Sequence, residues 1–164
     1  MLQAQSLLAE FKKREITHVV GVPDNGSRAL YELFWQDTDV AVIQVTREGE
    51  AFAIAAGLYL GGQQPLVIIQ NTGLLEAGDA LRGMPYNMGI PLVVLVGYRG
   101  YKTLEPGAER VDSVATFTEP TLKAWQIPYF MLLGPDDLDI ISTAFDKTAS
   151  TSLPAAILYP GELV

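Results

Sequence analysis

Three features of the sequence predict an α/β fold of three layers, helices covering both faces of a six-stranded parallel sheet. Six short runs are apolar at nearly every position, not at alternate ones. Stretches of helix length separate most of them, and two of the runs open with proline. Strands that are apolar on both faces belong in a sheet covered on both sides, which βαβ connections produce.

Ala4, Leu7, Leu8 and Phe11 recur at helical spacing and mark a first helix. Residues 18–22 (HVVGV) read as a buried strand halted by Pro23. Leu30, Leu33 and Phe34 place a helix over 28–35, and 40–46 (VAVIQVT) is the second strand. Residues 48–60 form a helix rich in Ala and Gly, with Thr46 expected as its cap. Residues 65–70 and 91–97 are strands, with a helix expected over 74–87 between them. Residues 129–133 and 155–159 complete the six strands. Leu138, Ile141 and Phe145 mark the last helix, with Asp136 and Asp137 near its positive end. Residues 98–112 have no period and carry six charges, a length of loop that is uncommon unless functional or mobile. No repeat or second domain is evident, so residues 1–164 are expected to form one domain.

Composition narrows the function. The 164 residues carry 11 Lys plus Arg against 19 Asp plus Glu, a net charge of −8. Such a surface repels nucleic-acid backbones and anionic membranes. The absence of cysteine excludes disulfides, thiolate metal sites and cysteine nucleophiles. The amphipathic start, MLQAQSLLAEFKKRE, is neither a signal core nor a transit peptide, and no apolar run approaches the roughly 20 residues of a membrane span. A cytoplasmic protein is expected.

Ligands of parallel sheets collect at the carboxyl ends of the strands. The polar residues there are Asp24 and Asn25, Arg47 and Glu48, Asn71 and Thr72, and Arg99. Glu48 opens the Ala/Gly-rich helix, whose small side chains let another backbone or a flat ligand come close, within the domain or across an interface. Arg99, Lys102 and Arg110 suit an anionic ligand and solvated loop charges equally. His18 has no serine nucleophile spaced to it and reads as structural, and Trp35 and Trp125 read as core or interface anchors. Neither GxGxxG nor GxxxxGK occurs.

Four motifs in register carry a resemblance: GVPD at 21–24, REGEAFAIAAG at 47–57, QNTG at 70–73 and PLVVLVGYRG at 91–100. Together they resemble the pyrimidine-binding domain of thiamine diphosphate-dependent decarboxylases, in the branch with phosphonopyruvate decarboxylase and the sulfopyruvate decarboxylase alpha chain. The resemblance implies strand order 2-1-3-4-6-5 and decarboxylation of a small anionic 2-oxo acid. It implies that Glu48 contacts N1′ of the cofactor's aminopyrimidine and so promotes loss of the C2 proton. It also places Pro23, Asp24, Asn71, Thr72 and Gly73 by the cofactor, and Asp24, Asn71 and Arg99 by the substrate. The family reads N-S-G-L-G-N where this chain has NTGLLE, and Asn where this chain has Arg47. The G-D-G and N-N motif that holds the diphosphate and Mg²⁺ is missing, and Gly78–Asp79 runs on into Ala80 and Leu81. With the chain ending at Val164, a pyrophosphate-binding beta subunit is the implied partner, in a homodimer or a larger hetero-oligomer. Two other readings fit the scaffold: a carboligase or synthase subunit, and a non-catalytic binding module.

Overall fold

The computed structural model describes residues 1–164. Strands β1 (His18–Gly21), β2 (Ala41–Gln44), β3 (Pro65–Gln70), β4 (Val93–Gly97), β5 (Tyr129–Met131) and β6 (Ala155–Tyr159) form one sheet. Its order is β2-β1-β3-β4-β6-β5, and every neighbouring pair is parallel. Both the six strands and their order agree with the sequence reading.

Helices α1 (Ala4–Lys13), α2 (Arg28–Gln36) and α7 (Asp139–Thr151) cover one face. There Phe11, Tyr31, Phe34 and Phe145 meet Val19, Leu66, Ile68, Leu95 and Ile157 of the sheet. The other face is covered by α3 (Glu48–Leu60), α4 (Asn71–Glu76), α5 (Gly78–Leu81) and α6 (Ser113–Ala124). There Phe52, Leu74, Leu81 and Leu122 meet Val20, Val67, Ile69, Val94 and Leu158. Alternate residues of β3 and β4 thus feed two different cores, and only Gln70, at the carboxyl end of β3, is polar.

The structure departs from the expected elements in four places. The helix expected over 74–87 begins at Asn71 and is broken into α4, α5 and a wide turn over Arg82–Tyr86. Pro85 lies in that turn and has no N–H to give, and Asn87 and Ile90 instead bond five residues back, to Arg82 and Pro85. Thr46 does not cap α3. The Glu50 carboxylate does, accepting the N–H groups of Thr46 at 3.1 Å and Arg47 at 3.2 Å. Helix α6 is announced by no clear period, because its buried positions are Ala115, Thr118 and Leu122 and Pro120 lies within it. The 98–112 loop is pinned at its base: Thr103 donates to the Gly100 carbonyl at 2.7 Å and accepts from the Asp112 N–H at 2.9 Å.

The chain leaves β1 for β2 on one side and β3 for β4 on the other. At such a reversal the loops after the strands part, and a cleft opens at their carboxyl ends.

Candidate functional site

Two carboxylates flank the point where the strand order reverses, Asp24 after β1 and Glu48 after β2. Glu48 is the first residue of α3, and its half-buried side chain lies across the Cα of Gly73 in α4. A Cβ on residue 73 would overlap the Glu48 carboxyl group, so the two elements approach this closely only because residue 73 is glycine. No hydrogen bond or ion pair from its own chain engages Glu48, although Arg47 before it and Glu50 two residues on are both engaged. Arg47 is paired with Glu76 of α4, and Glu50 is committed to the backbone at 46–47.

Asp24 is held very differently. Oδ1 accepts from the Ser27 N–H at 2.8 Å and the Ser27 hydroxyl at 2.5 Å, a reciprocal turn that leads into α2. Oδ2 accepts from Gln70 Nε2 at 2.8 Å, and the Thr72 hydroxyl donates to Gln70 Oε1 at 3.0 Å. The chain Thr72–Gln70–Asp24 lies beside a cleft of about 470 Å³ that Asp24, Gln70, Gly97, Arg99 and Lys102 help to line. Beneath it the hydroxyl of Tyr159 is sealed from solvent without a partner. A Cβ on Gly97 would stand 3.1 Å from that hydroxyl and 3.8 Å from Asp24 Oδ2, so glycine keeps the floor open. Burial first, and then the charge of Asp24, hold the Tyr159 phenol far above its ordinary titration range, so it stays protonated.

The remaining expected residues divide. Pro23 is half-buried at the end of β1, and Thr72 is exposed. Asn71 turns inward and is 0 % exposed: its Nδ2 donates to the Arg99 carbonyl and to Thr118 Oγ1, each at 3.0 Å. Its Oδ1 is buried without a donor. Asn71 therefore ties the start of α4 to the wall of the cleft and to α6, while Arg99 itself is exposed and lies 3.5 Å from Asp112. His18 meets the Thr17 hydroxyl at 2.8 Å, as a structural histidine does. Trp125 packs over Gly78, and Trp35 is exposed. Sequence reasoning gave no part to Gln70, Ser27 or Tyr159. Gln70 stands inside a motif it did quote; nothing in the sequence marks Tyr159, which reaches the cleft only through strand register with Gly97.

Residues 1–118 match the family model described as thiamine pyrophosphate enzyme, N-terminal TPP binding domain. The chain belongs to that family. The match includes Asp24, Glu48, Asn71 and Gly73 and stops before β5, so Tyr159 lies outside it. The chain is similar to the sulfopyruvate decarboxylase subunit alpha of Methanococcus maripaludis, with 28 % identity over 87 % of this chain and 85 % of that protein. It is 30 % identical to the phosphonopyruvate decarboxylase of Streptomyces viridochromogenes over its whole length, spanning 42 % of that protein. Its fold is that of the benzoylformate decarboxylase of Polynucleobacter necessarius, with a TM-score of 0.76 and 20 % identity over all of this chain and 32 % of that one. Of the acids at this corner, Asp24, Glu50 and Glu76 are each engaged within the chain, and Glu48 has no donor. No three His, Asp or Glu side chains converge to hold a metal.

Proposed function

We propose that residues 1–164 are one pyrimidine-binding domain, the alpha subunit of a thiamine diphosphate-dependent decarboxylase acting on a small anionic 2-oxo acid of the sulfopyruvate or phosphonopyruvate kind. The observation that carries this is the Glu48 carboxyl group, held against Gly73 and left without a donor in its own chain. When bound, thiamine diphosphate supplies the carbon centre that attacks the 2-oxo group and takes up the electrons released with CO₂. This chain's share is acid–base work and positioning. Glu48 shares a proton with N1′ of the aminopyrimidine, and Gly73 fixes where its carboxyl stands. Thr72, Gln70 and Asp24 form a connected wall facing the substrate, which Asn71 braces from behind. Arg99 and Lys102 offer the cations an anionic substrate needs.

The diphosphate and Mg²⁺ fall to a beta subunit. Two facts support this: the net charge of −8, and relatives of nearly the same length that are named as alpha subunits. Part of α3 also looks outward, where a Cβ on Gly57 would meet nothing within 4 Å and Leu60 is exposed. That face suits a subunit interface, whether with a second copy or with the partner. No helix is long and apolar enough to cross a membrane, and a cytoplasmic setting is part of this reading. The named relatives favour decarboxylation over carboligation, and an acid left free argues against a bare scaffold.

The test is reconstitution. The chain purified with its partner should release CO₂ from sulfopyruvate or phosphonopyruvate only when thiamine diphosphate and Mg²⁺ are added, and the chain alone should release none. Full turnover by the single chain would overturn the division of labour. No turnover of either acid by the complex would overturn the substrate class.

A further inference from the structure

Arg47 directly precedes Glu48, and the charges of three acids, Glu76, Glu50 and Glu48, act on it. Glu76 holds the guanidinium through Nη2, and this contact is the first cause that raises the Arg47 pKa. Glu50 is engaged elsewhere, since Oε2 accepts the Thr46 N–H, the Thr46 hydroxyl and the Arg47 N–H. Glu48 is the third, and it alone has no donor. The two helices bearing these groups face each other, because Glu48 rests on Gly73 and Glu76 follows Gly73 by three residues on the same short helix. Without Glu76, the acids left to Arg47 are Glu50, whose Oε2 already accepts three donors, and Glu48, which accepts none and must remain available for the cofactor.

We propose that Glu76 is a positioning residue that occupies Arg47 and thereby keeps Glu48 free. This rests on the reading of Glu48 given above, and adds to it the means by which this chain tolerates an arginine next to that acid. A guanidinium binds both oxygens of a carboxylate in a fork, leaving neither for a ring nitrogen. The pair has little else to do. Its side chains are 73 % and 39 % exposed, and ion pairs so open to water contribute little to folding. The other ionisable group near this corner, Asp79 of α5, is taken up by Arg82 at 2.6 Å.

The experiment uses the complex reconstituted with its partner. In E76Q, exchange of the C2 proton of bound thiamine diphosphate should slow at least about tenfold, part of the range a general acid–base group supplies. R47Q should exchange at about the wild-type rate. R47Q/E76Q should return to the R47Q rate, because the misdirected cation is gone. A plain clamp between α3 and α4 predicts otherwise: equal losses in both single variants and no rescue. A second readout needs no activity. The crystal structure of the cofactor-free E76Q complex should have the Arg47 guanidinium on the Glu48 carboxylate. Equal losses without rescue, or Arg47 turned to solvent or to Glu50 in that structure, overturns the proposal. The E48Q complex tests the underlying reading separately. If it exchanges like wild type, Glu48 is not the activating acid, and the E76Q structure still decides where Arg47 goes.

Discussion

Asp24 and Glu48 stand at the carboxyl ends of neighbouring strands, and the fold treats them in opposite ways. Asp24 receives three donors from its own chain, two from Ser27 and one from Gln70. Glu48 receives none, although it is half-buried at a helix N-terminus with glycine beneath it. A carboxylate with its acceptor sites filled within the fold is fixed in place and helps to hold that fold. One that is positioned but left open is complete only when something outside the chain binds it. Both residues are acidic and half-buried, so hydrogen-bond accounting is what separates them.

The largest expected effect tests the open member. Glu48→Gln in the reconstituted enzyme should slow C2 proton exchange by about 10²–10⁴-fold, because an amide keeps the shape but cannot share a proton with N1′. Its melting temperature should stay near that of wild type, since no contact within the chain is lost. A stability loss with unchanged exchange would reverse the comparison and make Glu48 the structural acid.

Asp24→Asn tests the filled member. An amide turned toward Ser27 or Gln70 sets donor against donor at one of the two oxygens. The expected cost is about 1–3 kcal/mol of folding free energy, read from urea unfolding of the chain. Unchanged stability would mean that the three bonds to Asp24 do not hold the α2 entry turn.

Much of this was legible in the sequence, and the boundary is physical. Runs such as PLVIIQ and PLVVLVG reveal central strands because both of their faces are buried, a property each run carries by itself. The motif residues Glu48, Asp24 and Gly73 were legible as candidates for the same reason. Helix α6 was not, because its buried face is built from Ala115 and Thr118, residues that neither contrast with solvent-facing positions nor repeat strongly. Contacts between distant segments were also hidden. Arg47 and Glu76 each look like an isolated departure from the motif, and only the fold makes them partners 29 residues apart. Asn71 reads as a site residue from its motif, whereas its side chain is turned into the interior.

Two tyrosines sharpen the comparison at a smaller scale. The Tyr31 hydroxyl donates to the Ile68 carbonyl at 3.0 Å, and the Tyr159 hydroxyl, equally buried, has no partner. Tyr31→Phe should cost about 0.5–1.5 kcal/mol, the net worth of one such bond. Tyr159→Phe removes an unpaired polar atom from the interior and should leave stability unchanged or raise it. Calorimetry of both variants decides this. A loss for Tyr159→Phe equal to that for Tyr31→Phe would mean that its hydroxyl is paired in solution.

The smallest effect belongs to Glu50, the acid two residues from Glu48, and it appears only in the pH dependence of stability. The backbone N–H of Thr46, then that of Arg47 and the Thr46 hydroxyl, hold its carboxyl below the usual value of 4.5. A folded-state value lower than the unfolded one means that the unfolded chain binds protons first as pH falls. The contribution of Glu50 is therefore complete at neutral pH. It starts to shrink as pH drops through the usual glutamate range, and it is gone below the depressed folded value. Glu50→Gln keeps one acceptor for the cap but loses its charge, so the variant should melt slightly below wild type at pH 7. The two should converge in acid, where the wild-type side chain is protonated and resembles the amide. A Glu50→Gln difference that stayed constant from pH 7 to pH 3 would show that the cap depends on side-chain shape and not on its charge.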